Sequence, residues 1–141
     1  MRIPVDTVMV QQRAASFTRR SIKTESKLQG LLLALSMIDL TTLEGKDSPE
    51  KVRSLCRKAI TPSEVPQEPP LPSVAAVCVY PSLVRVAKNA LEGSSVRVAS
   101  VATGFPSGQY PIAVRLDDVS QAVEASAEEI DMWSNRGPVL S

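Results

Sequence analysis

Two aspartates stand in otherwise apolar segments of the sequence, and their side chains are the ones best suited to acid–base chemistry. Asp39 lies in the segment MIDLT, and Asp131 lies in the segment EEIDMW. Burying a carboxylate without a partner is costly, so each is expected to have a cation nearby or a function. Two alternatives stay open at this point. Asp39 could cap the turn that follows it, and Asp131 could form a structural pair with Arg136.

The remaining candidates for chemistry are few because the sequence contains no histidine. This absence removes the commonest general base near neutral pH and the usual zinc and non-haem iron sites, so no metal is predicted. Cys56 and Cys78 lack the spacing of a disulfide framework and are predicted to be reduced thiols in a cytosolic protein. Cys78 is interpreted as a packed apolar residue rather than a nucleophile. The segment GFPSGQ (104–109) lacks the Lys-Ser/Thr of a P-loop and is interpreted as a strand-to-helix turn.

The elements that must position these residues alternate along the chain. Apolar residues at helical spacing predict helices around 28–35, 52–60, 83–91 and 112–123. The second helix has a clear start, since Ser48 can cap it and Pro49 suits its first position. Between the helices lie the apolar runs MIDLT, VAAVCVY, VRVASV and EIDMW. Unbroken apolar runs are typical of parallel strands covered on both faces, so the order predicts an α/β fold.

Composition narrows the classes of partner. The formal net charge is +1, which gives no sign of a nucleic-acid partner. The longest apolar run, 31–35, is too short to span a membrane, and a cytoplasmic location is the default. Residues 1–24 are predicted to be a basic N-terminal arm, with a transit peptide as the alternative. Residues 25–141 then form one domain, in which the proline-rich stretch 61–72 is a surface loop.

Four motifs, in one order, carry a resemblance to a known family. The segments IDLTTLEGKDSPEKVRSLC, AAVCVYPSLV, VRVASVATGFPSGQ and EEIDMWSNRG closely resemble the first half of deoxyribose-phosphate aldolase. The resemblance covers roughly residues 25–141. It implies a (β/α)8 barrel, of which this sequence holds about the first four β/α units. It also implies a class I aldolase, a lyase that needs no cofactor.

The implied reaction is the reversible cleavage of 2-deoxy-D-ribose 5-phosphate to D-glyceraldehyde 3-phosphate and acetaldehyde, a step in deoxyribonucleotide catabolism. A lysine amine forms a Schiff base with the substrate carbonyl, and an aspartate helps to move protons. By resemblance, Asp131 matches the proton-relay aspartate, and Asp39 matches an active-site acid at the end of strand one. Thr41, Leu43, Cys78 and Asn135 match the substrate pocket.

The catalytic lysine of the family has no match in this sequence. The family places it on strand six, so the 141-residue chain alone is expected to be inactive. The alternative is a non-catalytic half-barrel that binds other molecules or oligomerises to cover its open edges. Whether the aldolase forms a homo-oligomer is left open.

Overall fold

The computed structural model describes residues 5–137 and divides into two units, one ending at Leu31 and one beginning at Leu32. The first unit contains helix α1 (Thr7–Thr18) and the start of helix α2 (Thr24–Ser36). Asp6 caps α1 by accepting a hydrogen bond from the Met9 amide at 3.0 Å. The predicted arm at 1–24 remains a prediction. None of the helices within residues 5–137 is both long enough and apolar enough to cross a membrane.

The second unit is an α/β layer in which strands and helices alternate, as the sequence predicts. The elements are β1 (Asp39–Thr41), α3 (Pro49–Ile60), β2 (Ala76–Val79), a 3-10 turn (Pro81–Leu83) that leads into α4 (Val84–Ala90), β3 (Arg97–Ala102), α5 (Ile112–Glu124) and β4 (Glu129–Met132). The four strands form one parallel sheet in the order β1-β2-β3-β4. Parallel neighbours require a crossover, and here α3, α4 and α5 supply it.

The predicted start of α3 is confirmed. The Ser48 hydroxyl accepts a hydrogen bond from the Lys51 amide at 3.3 Å, and Pro49 occupies the first turn. The proline ring fits there because that amide has no partner inside a helix. The stretch 61–75, which holds the proline-rich segment, joins α3 to β2 without helix or strand.

The predicted position of the first strand is wrong by two residues. Helix α2 runs to Ser36, and the amides of Met37 and Ile38 still bond back to Ala34 and Leu35 at 3.2 and 3.3 Å. These bonds complete the end of the helix, so the strand begins only at Asp39. Asp39 therefore starts β1 rather than lying at its carboxyl end.

The two faces of the sheet are packed differently. We call the outer face the one that carries Val77, Val79 and Val98, which are fully buried in the main hydrophobic cluster with residues of α3 and α4. The other face, here called the inner face, carries a smaller buried cluster. Its members are Ala76, Cys78, Ala99 and Val101, with Leu43, Tyr80 and Phe105 packed against them.

Strand β4 is less covered than its apolar sequence predicts. Glu129 and Ile130 are half-buried, whereas Asp131 and Met132 are exposed, Met132 to 72%. Within residues 5–137, β4 pairs only with β3. The expectation of strands covered on both faces thus holds for β2 and most of β3 but not for β1, whose Asp39 and Thr41 are exposed, or for β4.

Candidate active site

The predicted site residues on the strands share the inner face of the sheet. Thr41 pairs in register with Cys78, and Val101 pairs with Asp131. Side chains of register partners in a sheet point to the same face, and residues two apart on a strand do so too. Asp39, Thr41, Cys78 and Asp131 therefore all belong to the inner face, along with Ala99, the partner of Cys78 on β3.

Neither structural alternative for the two aspartates is observed. Among residues 5–137, no ion pair joins Asp131 to Arg136, and both Asp39 and Asp131 are exposed on the inner face. The turn after β1 is held by Asp47 instead of Asp39. The Thr41 hydroxyl donates to the Asp39 backbone carbonyl at 3.0 Å, and the side chain of Asp39 is exposed.

Asp47 organises the loop between β1 and α3. Its carboxylate accepts hydrogen bonds from the Thr42 hydroxyl at 2.9 Å, the Glu44 amide at 2.9 Å and the Lys51 ammonium at 2.6 Å. Burial alone would raise the pKa of Asp47, but these donors outweigh it and lower the pKa below its ordinary value. Lys51 also bonds Glu44, and its side chain remains 43% exposed.

Cys78 lies between the two aspartates, and their negative charges affect the pKa of its thiol. Its thiol pKa is raised to about 11, first by burial and then by the negative charges of Asp131 and Asp39. A thiol with so high a pKa stays protonated at neutral pH and is a poor nucleophile. The interpretation of Cys78 as a packed residue is consistent with this state. Both Cys56 and Cys78 are free thiols.

Aromatic side chains line the carboxyl end of the inner face. Tyr80 and Phe105 meet edge to face with ring centroids 5.8 Å apart, and Phe105 and Trp133 do so at 4.9 Å. The Tyr80 hydroxyl donates to the Leu43 carbonyl at 3.4 Å, and the half-buried Leu43 packs against the inner cluster. Leu43 thus lies at the mouth of this face, where the sequence predicts a pocket residue.

The loop from β3 to α5 closes over the end of β4. Gly108 has a φ of +67°, and a Cβ there would lie 2.6 Å from the Ser134 carbonyl carbon, so the two backbones touch. Asn135 is half-buried beside this contact, and its side-chain oxygen accepts from the Gly137 amide at 3.1 Å. The segment 104–109 is a strand-to-helix connection, as interpreted from the sequence.

A cavity of about 310 Å³ lies beside this loop. Its polar walls come from helix α5, and its apolar walls come from the ends of β2 and β3. The polar lining residues are Arg115, Asp117, Asp118 and Gln121. No group of three metal-ligating side chains occurs within residues 5–137.

Sequence reasoning missed four polar residues that shape this end of the sheet. They are Asp47, Thr103, Arg115 and Asp118. Asp47 carried a usable signal, since it directly precedes the predicted cap of α3. Arg115 and Asp118 are spaced i, i+3 on α5, which places them on one helical face, but nothing in the sequence says that this face turns towards the sheet.

Comparison with known proteins identifies the family. The chain is 43% identical to the deoxyribose-phosphate aldolase of Mus musculus and 41% identical to that of Homo sapiens. Each alignment covers 99% of this chain and 47% of the relative. The resemblance to the deoxyribose-phosphate aldolase family is thereby confirmed. No family model matches the sequence. The chain spans about half the length of the curated relatives it matches.

A solved aldolase structure supports the fold. The chain resembles the tetrameric deoxyribose phosphate aldolase of Aeropyrum pernix with a TM-score of 0.57 and 28% identity, over 70% of this chain and 37% of that one. The predicted fold class is confirmed: this is an α/β chain of the (β/α)8-barrel type that covers part of a barrel.

Asp39 and Asp131 stand at different register levels of the sheet. By register, Asp39 is level with Ala76 and Arg97, whereas Asp131 is level with Val101, four residues further along β3. Strands in such a barrel are tilted, with a stagger of about one residue per strand. Over the three steps from β1 to β4 this gives about three residues. In a closed barrel of this geometry, the stagger would bring Asp39 and Asp131 to nearly the same height along the axis.

Proposed function

We propose that the protein carrying this chain is a deoxyribose-phosphate aldolase of the Schiff-base class. Its substrate is 2-deoxy-D-ribose 5-phosphate, and its products are D-glyceraldehyde 3-phosphate and acetaldehyde. The observation that carries the proposal is the convergence of Asp39, Thr41, Cys78 and Asp131 on one face of the sheet. The homologues' names support the same activity.

The proposed chemistry begins when a lysine amine condenses with the C1 aldehyde and releases water. As the C2–C3 bond breaks, its electron pair moves into the iminium, and the C3 hydroxyl loses its proton to form the departing aldehyde. The enamine then takes a proton at C2 and is hydrolysed to acetaldehyde. We assign Asp131 to proton transfer in these steps and Asp39 to the supporting acid, because both carboxylates face the open side of the inner face.

The Schiff-base lysine is proposed to lie outside this sequence. Lys51, near the carboxyl end of β1, is unsuited to the role. Its hydrogen bonds from the ammonium to Asp47 and Glu44 raise its pKa, whereas a nucleophilic amine needs a lowered one. We therefore expect the 141-residue chain alone to be inactive.

Borohydride trapping tests the proposed function. The native gene product that contains these residues is incubated with 2-deoxy-D-ribose 5-phosphate and sodium borohydride, and the modified peptide is located by mass spectrometry. We expect retro-aldol turnover and a reduced adduct on a lysine outside residues 1–141. Failure to detect either turnover or an adduct in the native product would refute the proposal.

A second candidate function follows from the exposed edge strand. Strand β4 presents Asp131 and Met132 to solvent, and an uncovered edge favours pairing with another chain. A non-catalytic half-barrel that self-associates would be an oligomer without turnover, which light scattering and the same assay would reveal.

For the aldolase, we propose a cytoplasmic location, which the free cysteines support, and a homo-oligomer, which the tetrameric relative supports.

A further inference from the structure

Four hydrogen bonds reach the backbone of Trp133, just beyond the end of β4. One of them is a backbone bond, in which the Trp133 amide donates to the Ala102 carbonyl at 3.3 Å. The Thr103 hydroxyl donates to the Trp133 carbonyl at 2.6 Å and accepts from the Trp133 amide at 2.7 Å. The Arg115 guanidinium donates to the same carbonyl at 3.3 Å. The side chain of Thr103 thus reinforces the last backbone bond between β3 and β4, at the point where the backbone of β3 turns away.

The turn at Thr103 requires an unfavourable backbone conformation. Thr103 has a φ of +65°, a value that glycine adopts readily and a β-branched residue rarely does. A glycine at this position would remove the strain but would also remove the hydroxyl. The hydroxyl bonds to Trp133 are therefore the feature for which threonine is suited at this turn.

Helix α5 contacts both the loop that follows β3 and the end of β4. The Asp118 carboxylate accepts from the Gly104 amide at 3.2 Å, which anchors the loop that begins after Thr103. Arg115, one turn earlier on α5, anchors the end of β4. Within the described part of the chain Arg115 forms no ion pair, so its contact with the Trp133 carbonyl accounts for where its guanidinium lies.

Asp131 lies two residues before Trp133 and is on the same face of the strand. It is exposed, and among residues 5–137 β4 pairs only with β3, where Asp131 is in register with Val101. Besides this one ladder, the contacts of Trp133 fix the end of the strand that carries the Asp131 carboxylate. We propose that Thr103 and Arg115 are positioning residues that lock the end of β4 and thereby hold the Asp131 carboxylate at a fixed place beside Cys78. The catalytic consequence of this lock rests on the proposed aldolase function.

The alkylation rate of Cys78 reports the position of the Asp131 carboxylate and does not depend on catalysis. The charge of Asp131 helps to raise the pKa of the Cys78 thiol, so a displaced carboxylate leaves more thiolate. Alkylation of Cys78 by iodoacetamide is followed between pH 8 and 10 by peptide mass spectrometry. We expect Asp131→Asn to speed this reaction roughly threefold, because loss of the neighbouring negative charge leaves a larger fraction of thiolate.

A double-mutant cycle distinguishes a displaced Asp131 carboxylate from a general loosening of the packing around Cys78. Thr103→Val keeps the branched shape but loses both hydroxyl bonds, and we expect it to speed alkylation by the same factor as Asp131→Asn. The double variant should react no faster than either single variant. Thr103→Ser should restore the original rate. Thr18→Val, the same change at a hydroxyl that bonds only within α1, is the matched control. If the increases in alkylation rate caused by the two single substitutions multiply in the double variant, the proposal is wrong.

The turnover of the native gene product then distinguishes this proposal from the proposed function. We expect Thr103→Val and Arg115→Met to lower kcat about tenfold with little change in KM, because the substrate still binds while proton transfer is misplaced. A non-additive alkylation cycle without any turnover would refute the aldolase and leave the lock intact. Normal turnover in both variants, or an additive cycle, would refute the lock.

Discussion

The outer and inner faces of the sheet are built by the same strands but differ in what covers them. On the outer face, Val77, Val79 and Val98 are fully buried against α3 and α4. On the inner face, small residues such as Ala76 and Ala99 belong to a smaller buried cluster, against which Leu43, Tyr80 and Phe105 pack. The exposed carboxylates Asp39 and Asp131 belong to the inner face.

Under the proposed function, stability and chemistry are assigned to opposite faces of the same sheet. Large apolar side chains on the outer face maximise buried area, whereas small side chains on the inner face leave space above them. A charge is tolerated on the inner face because it stays hydrated there. Substitutions on the inner face should therefore change kcat, whereas substitutions on the outer face should change the free energy of unfolding.

The largest expected effect is on catalysis. Asp131→Asn in the native gene product should lower kcat by roughly 10²–10⁴-fold, because the amide cannot carry a proton between reacting groups. Its free energy of unfolding should change by less than about 0.5 kcal/mol, since the side chain is exposed. Glu124→Gln, at an exposed carboxylate at the end of α5, is the control and should keep full turnover. Unchanged turnover in Asp131→Asn would exclude the assigned role.

On the outer face the expected effect is on stability instead. Val98→Ala should lower the free energy of unfolding by about 2 kcal/mol, because it removes two buried methyl groups and leaves a cavity between the sheet and its helices. The kcat of the folded enzyme should stay within about twofold of the original. Urea denaturation measures the first quantity. A tenfold loss of kcat with unchanged stability would break the separation of the two faces.

Asp47 is expected to stabilise the fold in a pH-dependent way. Asp47→Ala should cost about 1–3 kcal/mol at neutral pH, because the Thr42 hydroxyl and the Glu44 amide lose their acceptor. The folded-state pKa of Asp47 is lowered from 3.8, so its contribution is complete above that value and is lost as pH falls through the lower folded-state pKa. Denaturation curves from pH 7 to pH 2 should show the two proteins converging.

A matched change in an exposed acid checks this interpretation. Glu64→Ala, in the loop that joins α3 to β2, removes a carboxylate from an exposed position. Its effect on the free energy of unfolding should stay within about 0.5 kcal/mol and should vary little with pH. A constant destabilisation of Asp47→Ala across the whole pH range would show that its charge is irrelevant.

The smallest expected effect comes from the exposed pair of Glu128 and Lys88. Their side chains lie 2.9 Å apart, and the pKa of Glu128 is lowered chiefly by the hydrogen bond from Lys88. Solvent screens both groups, so Lys88→Met should cost less than about 1 kcal/mol, and the cost should shrink in 1 M salt. The Glu128 contribution is likewise lost as pH falls through its lowered pKa. A larger, salt-independent loss would contradict the screening argument.

Local sequence patterns predicted the helices and strands because nearby residues determine where each one forms. Ser48 and Pro49 fix the start of α3, and the apolar runs fix β2 and β3. Which side of a helix packs is a tertiary property and was not predictable. The apolar residues Ile112 and Leu116 of α5 are exposed to 64% and 60%, whereas Ala122 on another side is buried.

The site was predictable only in part for the same reason. Asp39 and Asp131 stand out as acids in apolar strands, and spacing within the strands gives their shared face. Contacts such as those of Thr103 and Arg115 with Trp133 join residues 30 and 18 positions apart. Such contacts depend on how the loop after β3 folds over β4, which no local pattern determines.

Substrate protection of the two cysteines tests the central claim most directly. Cys78 lies on the inner face and Cys56 in the outer cluster, so one protein carries both the probe and its control. The native gene product is alkylated with and without 2-deoxy-D-ribose 5-phosphate, and each cysteine is quantified by mass spectrometry. If the inner face is the substrate site, the substrate should slow alkylation of Cys78 at least fivefold while Cys56 changes little. Equal protection of both cysteines, or protection of Cys56 alone, would contradict the assignment of chemistry to the inner face.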